Sequence, residues 1–259
     1  MILRGTVFSQ VLEMDTIITV VAPTKLKAGG NHKVVYLFHG LCGDANSWVD
    51  FTRLPAYANE HDFIFILPSV GRSFYTDMKF GPKYFSYVVD ELPKFAQALF
   101  NISAKPEDTI LMGGSMGGYG ALKAALARPE QYGVCCAFSS GSLFMAEWLE
   151  EIRKDKPKAK NFYGRMIDDL EAMYGENLSC GDSDDLLDAA KRVSGHSIKP
   201  RIYMSCGKED YLLELNQRFA QEMEKLDYHY TYEEISGTHD WEFFDRALKR
   251  ALEWISSNQ

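Results

Sequence analysis

Apolar, β-branched stretches recur along the chain at Thr16 to Val21, Val34 to Phe38, Phe63 to Leu67, Thr109 to Met112, Val134 to Phe138, Ile202 to Ser205 and Tyr230 to Ile235. Several are apolar on successive residues rather than on alternate ones. That is the pattern of strands buried on both faces of a parallel sheet. Between them, Trp48 to Asn59, Tyr87 to Phe100, Met116 to Ala127, Leu212 to Leu226 and Trp241 to Ile255 carry helical spacing. Strands alternating with helices predict an α/β fold with a mostly parallel central sheet flanked by helices. The first stretch alternates and suits an antiparallel edge strand or hairpin. Residues 142–194 break the rhythm with helical pieces, a mixed-charge run and an acidic segment. Such a long excursion is expected to be a small cap-like insertion in a single domain spanning 1–259.

Composition narrows the class without naming a reaction. At 46% hydrophobic and 25% charged, the chain has ordinary globular usage and can bury a sizeable core. A net charge of −8 argues against nucleic acid or an anionic membrane as partner, since both call for a basic face. No apolar run is long enough to span a bilayer, and no charged start followed by an apolar core marks an export signal. Cys42, Cys135, Cys136, Cys180 and Cys206 are odd in number and lack paired spacing, so neither a disulfide framework nor a metal site is expected. A reducing, cytoplasmic setting follows as the expectation. Self-association is left open.

The passage from Ile110 to Gly120 carries the chemistry. Its Gly113-Gly114-Ser115-Met116-Gly117 core lies where a strand should turn sharply into a helix, the context of a nucleophile elbow in the α/β-hydrolase fold. Small residues two places either side of the serine let the backbones approach closely. Ser115 is the expected nucleophile. It needs a base, and the base needs an orienting acid. Of the histidines after Ser115, His229 lies within a strand pattern and His196 at the wrong sheet edge. His239 follows the last strand and is the expected base. Asp210, just past the preceding strand, is the expected acid; Glu209 reads as a solvated neighbour and Asp240 as the start of the last helix. The oxyanion hole should take the backbone N–H of Met116 and that of Leu41, from the loop beginning at His39. His39 itself reads as a brace for that loop. Trp48, Tyr75 and Trp241 are candidate pocket walls, and Phe144 and Trp148 belong either with them or to core packing.

These residues also carry a likeness. His39-Gly-Leu, Asn46-Ser-Trp48, Tyr75-Thr-Asp77, the Ser115 motif and Gly-Thr-His239-Asp-Trp241 together resemble the esterase D family, its bacterial tributyrin esterases above all. S-formylglutathione hydrolases and feruloyl and acetyl xylan esterases are relatives. The resemblance covers residues 8–257 and is weakest in the insertion. It implies a serine carboxylesterase acting on a small-molecule ester without metal or cofactor. Short acyl groups, acetyl to butyryl, are implied, on alcohols that include acetylated or feruloylated carbohydrate. The aromatic candidates suggest a narrow pocket. A thioesterase such as S-formylglutathione hydrolase, and a catalytically silent binding module on the same fold, are the competing readings.

Overall fold

The computed structural model describes residues 1–26, 32–100 and 102–257. Among the described residues, eight strands form one sheet: β1 (Ile2–Ser9), β2 (Met14–Val21), β3 (Val34–Phe38), β4 (Ile64–Pro68), β5 (Thr109–Gly114), β6 (Val134–Phe138), β7 (Arg201–Gly207) and β8 (Tyr230–Ile235). Their order is β1-β2-β4-β3-β5-β6-β7-β8, antiparallel at β1, β2 and β4 and parallel from there on. This is the α/β-hydrolase architecture expected from the pattern. The antiparallel β2 was anticipated. Its partner β1 was not, because its Leu3, Thr6 and Phe8 are exposed at the sheet edge and leave no one-sided apolar alternation.

The central strands are buried on both faces, which explains their unbroken apolar runs. Val34, Tyr36 and Phe38 face one core and Val35 and Leu37 the other. The helices that cover them are α1 (Ser47–Phe51), α2 (Leu54–His61), α3 (Tyr84–Ser86), α4 (Leu92–Leu99), α5 (Met116–Ala127), α6 (Met145–Lys154), α7 (Lys156–Tyr163), α8 (Arg165–Tyr174), α9 (Leu186–Ser194), α10 (Leu213–Met223) and α11 (Trp241–Ser257). The single helix expected over 48–59 is two. Thr52 is extended between them and Pro55 stands in the first turn of α2. A proline ring there would collide with the carbonyl four residues back if the helix ran through.

The expected insertion is helical, comprising α6 to α9 between β6 and β7. It is fastened to the sheet layer by a buried polar cluster. Lys123 of α5 reaches Asp184 at 2.5 Å and Thr76 at 2.8 Å, and Tyr119 and Tyr174 donate to the same carboxylate oxygen. Among the described residues no helix is long and apolar enough to cross a membrane.

Strand order reverses between β3 and β5, since β4 lies on one side of β3 and β5 on the other. The carboxyl ends at such a reversal leave a crevice where ligands bind in open α/β sheets. Register brings those ends level. Phe38 pairs with Gly113, Gly114 with Phe138, Phe138 with Ser205 and Gly207 with Ile235.

Candidate active site

Ser115 stands between β5 and α5 with φ 56° and ψ −120°, a conformation that residues other than glycine seldom adopt. Its surroundings hold it there. Its N–H donates to the Phe38-paired strand's neighbour β6 at the Phe138 carbonyl, 2.9 Å away. Its carbonyl accepts from Gly118 at 3.0 Å and from Tyr119 and Gly141 at 3.2 Å. The flanking glycines are sterically required. A Cβ on Gly113 would lie 2.2 Å from the Gly117 carbonyl oxygen, and one on Gly117 would lie 2.3 Å from that of Phe38.

The loop after β7 carries Asp210 and the turn after β8 carries His239. Their backbones are laced together: Lys208 N–H donates to Ile235 and Glu209 N–H to Gly237. The Glu209 carboxylate accepts from the Gly237 N–H and from Ser236. Glu209 is therefore more than the solvated neighbour expected, since it clamps the turn that carries His239. Asp210 Oδ2 meets His239 Nδ1 at 2.8 Å, and Asp210 Oδ1 accepts from the Leu212 N–H at 2.8 Å. Burial alone would raise the Asp210 pKa; bonds from His239, Leu212 and Ser139 outweigh it and hold the carboxyl below its ordinary range. An ionised carboxylate only accepts, so Nδ1 carries a proton, and in the neutral imidazole Nε2 is the nitrogen with the lone pair. Asp240 caps α11, accepting from the Phe243 N–H at 2.9 Å.

Ser115 and His239 line the same cavity, of about 340 Å³, together with Gly40, Leu41, Trp48 and Trp241. A second cavity, of about 610 Å³, opens from Ser115 on the side of the insertion. Met116, Phe74, Phe144, Trp148, Leu212 and Leu215 are among its walls. Leu41 and Tyr211 border both. Of the aromatic candidates, Phe144 and Trp148 line this cavity.

Of the three candidate pocket residues, Trp48 and Trp241 are brought to the first cavity, ring to ring at 5.3 Å. Tyr75 is not. It is wholly buried behind the cavity, stacked on Phe38 at 4.4 Å, with its hydroxyl donating to the His39 carbonyl at 3.0 Å. The correction has a steric cause: Gly120 leaves a recess in α5 that the Tyr75 ring fills. His39 is a brace, as expected. Its Nε2 accepts from the Val70 N–H at 3.1 Å, which fixes the proton on Nδ1, and Nδ1 donates to the Gly40 carbonyl at 2.7 Å. The Leu41 loop runs close against Ser115: a Cβ on Gly40 would sit 3.5 Å from that of Ser115.

Two residues at the site carried no usable signal. Tyr211 is 77% exposed and its ring lies 5.0 Å from that of His239. Phe244 packs edge-on to the imidazole at 5.2 Å. A tyrosine after the acid and a phenylalanine one turn into a helix look like ordinary surface and core residues until the fold brings them to the histidine.

Comparison with known proteins bears on the family and the fold. The Esterase family model matches residues 9–255. An acetyl esterase of Caldicellulosiruptor saccharolyticus is 31% identical over 261 residues, covering 96% of each chain. Among solved structures, fluorophosphonate-binding serine hydrolase F of Staphylococcus aureus superposes with a TM-score of 0.85 at 26% identity, covering 98% of each chain. An S-formylglutathione hydrolase of the same organism superposes with a TM-score of 0.82 at 25% identity, again covering 98% of each.

Proposed function

Because this chain belongs to the Esterase family and is a carboxylic ester hydrolase, we propose that it cleaves short-acyl esters through an acyl-enzyme on Ser115. The supporting observation is the Asp210–His239 pair at 2.8 Å, whose histidine shares one cavity with a serine held in an elbow. His239 Nε2 takes the Ser115 proton as Oγ attacks the ester carbonyl. Asp210 keeps the imidazole in the required tautomer and stabilises the imidazolium. The oxyanion lies against the Leu41 and Met116 N–H groups, each contributing about 3 kcal/mol by analogy with other oxyanion donors. His239 then protonates the departing alcohol. Water, deprotonated by the same imidazole, attacks the acyl-enzyme and releases the acid.

The two cavities divide the substrate by this chemistry. The alcohol departs with the proton from His239, so it occupies the cavity that His239 lines, between Trp48 and Trp241. The acyl group lies opposite, in the larger cavity toward Phe144 and Leu215. The likeness to an acetyl esterase favours acyl groups from acetyl to butyryl, with acetylated or feruloylated carbohydrate among the alcohols and acids to be tried. The single-domain reading of residues 1–259, with 142–194 as a cap, fits this division because the insertion walls the acyl side.

A fluorophosphonate probe should label the wild type and fail to label Ser115→Ala and His239→Ala. Labelling that survives Ser115→Ala would sink the assignment, and an unlabelled wild type would favour a silent binding module. A panel of p-nitrophenyl acetate and butyrate beside S-formylglutathione separates the esterase from the thioesterase. Turnover of the thioester without the short esters would overturn the substrate class.

A further inference from the structure

Three successive carbonyls leading into the Leu41 loop are held in place by named donors. Phe38 accepts from Trp48 Nε1 at 3.0 Å, His39 from the Tyr75 hydroxyl at 3.0 Å, and Gly40 from His39 Nδ1 at 2.7 Å and the Gly43 N–H at 3.0 Å. A trans peptide is planar, so its carbonyl and the next N–H point in opposite directions. Anchoring the Gly40 carbonyl therefore sets the direction in which the Leu41 N–H projects, and anchoring the His39 carbonyl fixes the peptide before it, from which the Gly40 carbonyl is hung.

Of these anchors, Tyr75 has the least freedom of its own. Phe74 and Tyr75 both have positive φ, at 47° and 52°. Bulky residues keep such a conformation only where the surroundings over-determine it. Here helix α5 does so twice. Gly120 admits the Tyr75 ring, since a Cβ there would come within 2.3 Å of it. Lys123, one turn further along, donates to Thr76 at 2.8 Å. Burial pushes the Tyr75 phenol well above its ordinary pKa, so it stays a donor. Helix α5 also begins at the elbow, with Met116 as its first residue.

We propose that Tyr75 is a positioning residue for ester hydrolysis, tying the Leu41 N–H to helix α5 so that both oxyanion donors are referenced to the element that carries Ser115. The inference rests on the assignment of Leu41 and Met116 as those donors. Tyr75 touches no reacting atom; it acts through the His39 carbonyl.

The test compares wild type with Tyr75→Phe, which removes only the hydroxyl, and Gly120→Ala, which keeps the hydroxyl and displaces the ring. Substrates are p-nitrophenyl acetate and its thiono analogue, whose thiolate-like intermediate gains less from N–H donors. In both variants kcat for the oxoester should fall about ten- to a hundredfold, less than the loss of a whole donor. KM should hold to within about a factor of two, as expected for an interaction made only in the transition state. The ratio of oxoester to thionoester rates should fall by about tenfold. Wild-type kcat and rate ratio in both variants would overturn the proposal, whatever happens to their melting temperatures. Hydrolysis surviving in Ser115→Ala, or a wild type indifferent to the sulfur substitution, would instead bring down the nucleophile and oxyanion assignments on which the proposal stands.

Discussion

Asp210 Oδ2 lies 2.8 Å from His239 Nδ1, and the Asp210 side chain is wholly buried while the imidazole keeps 17% of its surface exposed. A carboxylate in that position decides which imidazole nitrogen carries the proton. Replacing it by an amide, Asp210→Asn, keeps the volume and allows the opposite tautomer. The expected result is a kcat about ten-thousandfold lower with little change in fold. Steady-state kinetics beside a circular dichroism spectrum would check it; a loss under about tenfold would mean that Asp210 does not orient the base.

His39 should make stability fall on mild acidification. Burial lowers its pKa, outweighing the Gly40 hydrogen bond and Asp44, which raise it. The unfolded imidazole therefore takes up a proton first as pH drops below about 6.5. Stability conferred by the neutral folded form is complete above that value. Below it, stability should decline by up to about 1.4 kcal/mol per pH unit, until the folded imidazole also protonates. Urea unfolding of wild type and His39→Gln at pH 7.5 and pH 5.5 measures this, the gap between them shrinking at the lower pH. An equal gap at both values would rule out His39 as the source.

Lys123 and Asp184 form a buried ion pair between α5 and the insertion, with side chains 2% and 6% exposed. Removing one partner strands the other charge. Lys123→Met should cost about 3–5 kcal/mol, and Lys123→Met combined with Asp184→Leu should recover part of it. Denaturant midpoints of the two variants would decide. A double variant weaker than the single one would show that the pair contributes more than mutual neutralisation.

Leu215 borders the larger cavity and neither cavity's catalytic edge. Leu215→Trp should fill that space and lower kcat/KM for p-nitrophenyl butyrate about tenfold relative to the acetate, the scale of a methylene or two in a pocket. If the ratio stays put while esters of bulky alcohols suffer, the acyl and alcohol sides are assigned the wrong way round.

How much of this was legible beforehand differs from element to element. The two-sided burial of β3, β5 and β6 is written as continuous apolar residues, and the extents of β3 and β6 agree with their runs to the residue. The elbow glycines are legible for a steric reason, because no other residue fits between β5 and α5. The order Ser115, Asp210, His239 follows from which loops leave the carboxyl edge of the sheet. Tyr75 was misplaced because an aromatic residue in a loop gives no hint of which side of the loop its ring will take.

Periodicity and small-residue spacing thus determined the layers and the elbow, since these depend on contacts between neighbours in sequence or on strands of known direction. Only the tertiary structure decided what depends on residues far apart in the chain. The recess at Gly120 took Tyr75 out of the pocket and put its hydroxyl on the His39 carbonyl. The burial of Asp184 against Lys123 seated the insertion. The space left between the insertion and Ser115 is about 610 Å³. Such volumes and carbonyl directions are sums over many packed surfaces, and no local pattern of residues encodes them.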